Sequence, residues 1–429
     1  MNHQRPLGDR IDAAVDDAPS SGAAGTPRLL LALARDDQRR VLPTLANALL
    51  ILALDPILEG MLGYDEFAGQ HLLLRPPPPA HEGDPPAAGP YPRTWQAEDV
   101  ALVQAHLQRV WAHRFGRETT EQAMLAEAAR RRYHPVRDWL ASLRWDGTPR
   151  LDDWLRRAFG APDDDYHRAA GAKFLVAAVR RVRHPGCKFD ALLVLEGAQG
   201  IGKSSACRAL FGAHWFSDAV PADLGSKDAA MALCGVWGLE FAEIEHLIRA
   251  EVETIKSFLS RQVDRYRPPY GKSYVERPRQ CVFVGTTNAT DYLRDSSGNR
   301  RIWPVACRHA DAAWVADHRE QLWAEAAARE AAGETIWLDD DDTRMAASRQ
   351  QQARMAEDIW AERIRAKLAE GVPPNSRALL DAIGVPAERQ GKREEMRIAS
   401  ILRAEGYVRA YRWRDGRAIR IWIREPEPP

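Results

Sequence analysis

Eight consecutive residues, Gly197-Ala198-Gln199-Gly200-Ile201-Gly202-Lys203-Ser204, fit the pattern G-x-x-x-x-G-K-[ST] at every fixed position. The chemistry such a run supports is capture of a polyphosphate. Its glycines let backbone N–H groups close around phosphate oxygens at a helix N-terminus, where the dipole favours negative charge. Lys203 then reaches the β- and γ-phosphates and Ser204 holds Mg²⁺, so the expected ligands are ATP and Mg²⁺, bound by Gly197 to Ser205. The bland alternative is a glycine-rich turn of chance composition.

Hydrolysis of ATP needs three further parts: a carboxylate near Mg²⁺ and the attacking water, a polar sensor of the γ-phosphate, and a cationic finger. The apolar run Gly235 to Phe241 carries Glu240, with Glu243 three residues on. A carboxylate at the C-terminal end of a strand lies on the side of the sheet where phosphates sit. Either one is suited to Mg²⁺, and either to activating water. The alternative makes Glu243 and Glu245 first-turn helix acids favoured by the dipole. Asn288 ends the apolar run Cys281 to Thr287 and is the candidate sensor; otherwise Thr-Asn simply begins a turn. Arg300 and Arg301 precede the apolar Ile302-Trp303-Pro304. One of them is the candidate finger, reaching a neighbour's nucleotide in a ring; the alternative is a surface ion pair with Asp291 or Asp295.

Two segments suit nucleic acid. Lys256 to Tyr274 reads as a helix followed by a turn with Gly271 at its tip, and carries Lys256, Arg267, Tyr270 and Lys272. Cations meet phosphates and tyrosines stack on bases, the mixture expected for single-stranded DNA. In the tail, six arginines (409, 412, 414, 417, 420 and 424) stand against one acid, Asp415. Arg412, Arg414 and Arg417 flank the Asp415-Gly416 turn and favour phosphate-backbone contacts. The alternatives are a structural hairpin and a solvated sheet face.

These groups require an α/β scaffold to position them. Ala191 to Leu195 reads as the buried strand before the glycine run, and Lys203 to Leu210 as the helix after it, stopped near Gly212. Val236 to Phe241 and Gln280 to Thr286 read as further strands of a parallel sheet. Helices are expected at Tyr166 to Val182 and Ala312 to Ala332, then over Thr343 to Glu370 with a break. Arg377 to Ile383 and Lys392 to Ala404 read as two short helices before a hairpin of Tyr407 to Arg414 and Arg417 to Arg424. That order is expected for the end of a winged helix-turn-helix. On the last strand Ile419, Ile421 and Ile423 share one face, and Arg420, Trp422 and Arg424 the other. Residues 1–28 read as a disordered tail, 29–165 as a mainly helical region whose proline-rich run from Arg75 to Pro92 is a linker or long loop, 166–335 as the nucleotide core, and 336–429 as a helical linker and winged-helix-like domain. His134 reads as a structural histidine.

Bulk composition narrows the classes. Lys plus Arg and Asp plus Glu number 60 each, so any nucleic-acid surface is local. The five cysteines are scattered, with no C-x-x-C pair, which argues for a reducing compartment and against a zinc site. No apolar run approaches the roughly 18 residues of a membrane helix, and the polar N-terminus has no signal-peptide character. The cytoplasm is the expected compartment, with no membrane partner.

Tyr133-His134-Pro135, Trp145-Asp146-Gly147, Pro185-Gly186-Cys187-Lys188, Gly197 to Ser204, Trp237 to Glu243, Arg267 to Gly271 and Gly298 to Val305 together resemble the virulence-associated protein E family of phage- and plasmid-type ATPases. The resemblance implies a P-loop core of the AAA+ type found in superfamily 3 helicases, which act as hexameric rings at origins of mobile elements. It implies nucleotide and Mg²⁺ roles for Lys203 and Ser204, carboxylate roles for Glu240 and Glu243, a sensor in Asn288, and a trans finger in Arg300 or Arg301. It also implies a pore hairpin within Lys256 to Lys272. Glu-x-x-Glu departs from that class's adjacent acidic pair, which leaves the catalytic acid open. No primase-like acidic triad is visible, so priming implies a separate partner. Two other readings compete: an ATP-dependent origin-binding or regulatory DNA switch without unwinding, and a small-molecule kinase.

Overall fold

The apolar run near residue 50 folds as α1 (Leu45–Leu54), begun by Thr44, whose side chain accepts the Asn47 N–H. In this computed structural model the described residues are 30–424 other than 82, 86, 113, 269–272, 294–298, 356, 357, 359, 415 and 416. The tail expected over 1–28 lies outside them. The chain divides into two compact units, one of residues up to Arg144 with Leu233–Val236, the other of Trp145–Ala232 with residues from Trp237 onward.

In the first unit α1 packs with β1 (Leu62–Asp65), β2 (Gln70–Leu73), β3 (Arg93–Thr94), α2 (Ala97–Val110), α3 (Arg117–Arg130), β4 (Arg132–Tyr133) and α4 (Pro135–Ser142). The strands form a sheet of order β3-β2-β1-β4. Ile51, Leu73, Val103, Leu107, Phe115 and Met124 lie in one buried core. Helices still dominate this unit, and the small sheet is an addition to the mainly helical region expected. Strands of two to four residues are too short to show an alternating pattern. The proline-rich segment also connects two strands of this sheet, with Leu73 opposite Arg93, and does not separate domains. His134 caps α4, its Nδ1 accepting the Arg137 N–H at 3.1 Å.

In the second unit α5 (Trp154–Phe159) precedes α6 (Asp165–Arg183). The boundary drawn at residue 165 falls inside this unit, because Trp154, Leu155 and Phe159 are buried. A side chain at Gly171 of α6 would lie 2.7 Å from Trp154 Nε1, so the two helices touch at a glycine. There follow β5 (Leu192–Glu196), α7 (Lys203–Phe211), β6 (Phe216–Ser217), α8 (Lys227–Met231), β7 (Gly238–Phe241), α9 (Ile244–Ser260), β8 (Val263–Tyr266), β9 (Val275–Pro278), β10 (Val282–Thr287), β11 (Ile302–Ala306) and α10 (Ala312–Ala331). Five strands form an all-parallel sheet of order β11-β5-β10-β7-β6, so the fold is mixed α/β. Their near-continuous apolar sequences suit strands covered on both faces. The helices α6, α7 and α10 pack together around Phe211, Trp237 and Trp323. The two indole rings approach to 4.0 Å between centroids. The N–H groups of Trp237 and Trp323 donate to the carbonyls of Ala178 and Leu210.

The polar helix expected over Thr343 to Glu370 is two, α11 (Asp341–Gln352) and α12 (Ala361–Ala369). Then come α13 (Ser376–Ala382), α14 (Lys392–Ala404) and the hairpin of β12 (Tyr407–Arg414) and β13 (Arg417–Arg424). Ile364, Leu379, Leu380, Ile398, Leu402 and Trp422 share a separate small core. On β13 it is Trp422 that is buried, while Ile423 is 44% exposed. Trp422 joins the core of these helices, with Tyr407 packed against it.

Candidate functional site

The site is built where β5 ends and α7 begins. An ideal Cβ at Gly197 would lie 2.6 Å from the Cys307 carbonyl oxygen and 2.9 Å from Ile201, so nothing larger than glycine fits. Gly202, at φ +96°, turns the chain through the left-handed region into α7. No side chain caps α7 and its first turn carries no acid. The N–H groups of that turn, at Lys203, Ser204 and Ser205, therefore face the loop without a side-chain acceptor. Ala198, Gln199 and Gly200 form the exposed crown of the loop.

Lys203 is 7% exposed. Its Nζ donates to the carbonyls of Gly197 (2.6 Å) and Ala198 (2.9 Å) and to Asn288 Oδ1 (3.2 Å). Burial pushes its pKa down, opposed by nearby groups that include the Glu240 and Glu245 carboxylates. Glu240, on β7, is fully buried. Its Oε1 accepts from Ser204 Oγ at 2.6 Å and from Thr286 Oγ1 at 2.7 Å. Its Oε2 is buried and has no partner among the described residues. Asn288, at the exposed end of β10, is tied to the loop a second way, since the Gly197 N–H donates to the Thr287 carbonyl at 3.1 Å. The structure thus brings together Lys203, Ser204, Glu240 and Asn288.

Glu243 stands apart. It is exposed and begins α9 at φ +49°, ψ +48°, a left-handed conformation that costs a side-chain-bearing residue roughly 1–3 kcal/mol. The two arginines separate likewise. Arg301 Nε donates to Asp190 Oδ2 at 2.8 Å, with the two side chains 19% and 10% exposed. Asp291 does not supply that pair, and Asp295 lies outside the described residues. Arg300 is exposed and has no ion-pair partner among the described residues. Both arginines precede Ile302, which pairs with Leu192 at the start of β5. They lie at the amino end of the parallel sheet and the glycine loop at its carboxyl end.

Lys256, on α9, pairs with Glu253 at 2.9 Å. Arg267 is exposed after β8, while Tyr270 and Lys272 lie outside the described residues. The helix expected from Lys256 is the end of α9, and an antiparallel hairpin follows it, with Tyr266 opposite Val275. Arg279 fastens its base through two bonds to Asp264, at 2.6 and 2.9 Å, with side chains 1% and 3% exposed. Its guanidinium also lies 4.4 Å from the Phe258 ring. Removing one member of such a pair leaves the other charge buried and uncompensated. Asp264→Ala is therefore expected to cost about 3–5 kcal/mol in urea unfolding, with partial recovery in Asp264→Ala/Arg279→Leu; a loss under about 1 kcal/mol contradicts this. Arg412, Arg414 and Arg417 lie on β12 and β13, Arg414 opposite Arg417, with side chains outside the description.

Three groups escaped sequence reasoning: Thr286 on Glu240 and the Glu196 cluster beside the loop, and Asp190 on Arg301 at the other end of the sheet. Glu196, immediately before Gly197, accepts from Arg354 through both oxygens (2.6 and 2.7 Å) and from Tyr292 (2.7 Å). A carboxylate closing an apolar strand was the visible signal; its partner lies 158 residues away.

An interior strand of the parallel sheet, β5, runs through a glycine loop into an uncapped helix, whose first N–H groups and dipole are the kind of end that favours an anion. The chain belongs to the virulence-associated protein E-like family, whose model matches residues 140–355, half of the chain. A solved structure described as the A form apo structure of the NrS-1 C-terminal region is similar at 14% identity, covering 67% of this chain and 78% of that one with a TM-score of 0.38. An apo structure of the NrS-1 C-terminal region (305–718) aligns over 85% of this chain and 96% of that one, at 12% identity and a TM-score of 0.38. No curated protein matches the chain. Among the described residues no helix is long and apolar enough to cross a membrane.

Proposed function

We propose that this protein is an ATP-driven DNA helicase or translocase serving replication of a phage, plasmid or genomic island. On this reading the second unit is a P-loop core of the AAA+/superfamily 3 type, carrying a winged-helix-like DNA-binding domain at its end. It works as a homo-oligomeric ring of six subunits, with priming left to a separate partner. The single observation that carries the reading is the Ser204–Glu240 bond, beside a Glu240 oxygen that is buried without a partner and next to the Lys203 ammonium.

A hydroxyl and a carboxylate sharing one polar pocket are hard oxygen donors and fit Mg²⁺. Ser204 and Glu240 would hold it and Gly197 to Ser205 would hold ATP; when bound, Mg²⁺ would supply positive charge against the phosphates. Lys203 exchanges its loop carbonyls for phosphate oxygens. Asn288, already in contact with Lys203, orients the water or the γ-phosphate. Glu240 organises the metal side, and Glu243 on the exposed edge is the remaining candidate base. Arg300 reaches the nucleotide of the neighbouring subunit. The hairpin after α9 contacts single-stranded DNA, and the arginine-rich tail contacts phosphates of duplex DNA.

The test is the ATP hydrolysis rate with and without single-stranded DNA, together with displacement of a strand from a forked duplex. DNA-stimulated hydrolysis with displacement is the expected result. Tight ATP-dependent DNA binding without displacement would replace this reading with the non-unwinding switch. Hydrolysis indifferent to DNA would remove both.

A further inference from the structure

The loop and short helix between the two halves of the nucleotide site face the hairpin across a groove of about 570 Å³. Its walls carry Lys227 of α8 with Arg261, Arg265 and Arg267 of the hairpin arm, and Tyr274 at the start of the returning arm; among the described residues no carboxylate lines it. We infer that this groove is a two-walled seat for the sugar-phosphate chain of single-stranded DNA, with Lys227 and Arg265 on phosphates and Tyr274 under a base. This rests on the DNA-translocase reading and adds to it a wall from outside the hairpin.

Arg261 and Arg265 each have a carboxylate partner, and exposed Asp228 follows Lys227 in the chain. Asp264 is buried and shared by Arg279 and Arg261, one carboxylate between two guanidinium groups. Glu276 comes to 3.9 Å from Arg265, but both side chains are more than two-thirds exposed, a geometry worth little in water. Asp223, before α8, is exposed and accepts the N–H of Gly225, two residues on, at 2.8 Å. Along β8 exposure alternates, so Arg265 and, just past the strand, Arg267 emerge on the same side while Asp264 and Tyr266 point in. Cations in single file along an edge track a flexible backbone.

The aromatic is placed for bases. Tyr274 is 66% exposed and the Arg265 guanidinium lies 5.3 Å from its ring centroid. A ring left in solvent beside a cation offers a stacking face that any base can use. A stacking platform beside a row of cations favours a single strand, whose bases are free to turn onto it. In a duplex they are paired and stacked inside. The chain order gives the groove a further property: α8 lies between α7, which carries Ser204, and β7, which carries Glu240. DNA seated there touches the segment that joins the two residues proposed to hold the metal.

The test uses the full chain and a labelled oligo(dT), with affinity measured over a series of salt concentrations. Each phosphate contact on a single strand contributes roughly 0.7 to the slope of log affinity against log salt. Lys227→Ala/Arg265→Ala should flatten the slope by about 1.4 with an unchanged unfolding midpoint, and Lys227→Arg should keep the slope of the unmodified chain. Tyr274→Ala should weaken binding roughly 5- to 150-fold with no change in slope. Slopes that stay the same in the double variant, while the unmodified chain binds, overturn the groove and leave the translocase reading standing. No binding by the unmodified chain overturns the translocase reading itself.

Discussion

Lys203→Ala is expected to lower ATP turnover by at least about 100-fold while leaving the protein folded. The first half follows from position. Lys203 opens α7, and its ammonium meets the carbonyls of Gly197 and Ala198 and the Asn288 side chain within 3.2 Å, so it is already aimed across the mouth of the loop. A fixed donor facing the place where γ-phosphate charge develops needs no reorganisation during the reaction, and losing one such donor typically costs 10²- to 10³-fold. The second half follows from electrostatics. Burial pushes the Lys203 pKa down, which means that the fold disfavours its charge. Removing a charge the fold resists does not weaken the fold, so the unfolding midpoint should be unchanged or higher. Phosphate release and calorimetry on the same preparation check both halves. Turnover within about tenfold of the unmodified chain would contradict the first, and a collapsed midpoint the second.

Arg300→Ala is expected to abolish turnover as thoroughly, by about 10³-fold or more, through a different residue of a different subunit. The arginine turn lies at the amino end of β11, beside Leu192, while the glycine loop leaves the other end of β5. Five strand residues separate the two levels by roughly 13–17 Å, beyond the reach of an arginine side chain. Arg300 therefore serves no nucleotide on its own chain, yet it is exposed where a neighbour can meet it. Arg301 has another task. Its bond to Asp190 ties the start of β11 to the residues leading into β5, and Arg301→Ala strands a carboxylate that is 10% exposed. That variant should show a lowered midpoint with milder loss of turnover per folded molecule. Equal kinetic losses and equal midpoints for the two arginines would remove the distinction.

The parts legible in the sequence are those whose logic is local. The glycine loop, its strand and its helix are consecutive, and apolar runs such as Cys281 to Thr287 show themselves as buried strands without reference to anything distant. What separates Arg301 from Arg300 was not legible, because Arg301's partner, Asp190, lies 111 residues away. The choice between Glu240 and Glu243 depended on where β7 stops and which way each carboxylate then points. The sheet of the first unit was invisible for another reason: segments such as Gln70–Leu73 are too short for any period to register. In the tail the hairpin was legible from Asp415-Gly416, but which face is buried was set by the helices beneath it.

The central claim is that nucleotide is turned over at a boundary between subunits and that this moves a polynucleotide. Mixing two variants, Lys203→Ala and Arg300→Ala, each inactive alone, tests it most directly. A boundary pairing the intact loop of one with the intact arginine of the other should restore ATP hydrolysis stimulated by single-stranded DNA, rising with the proportion of mixed assemblies. Mixtures that remain as inactive as either variant, in a protein that stays monomeric with nucleotide and DNA, would contradict it.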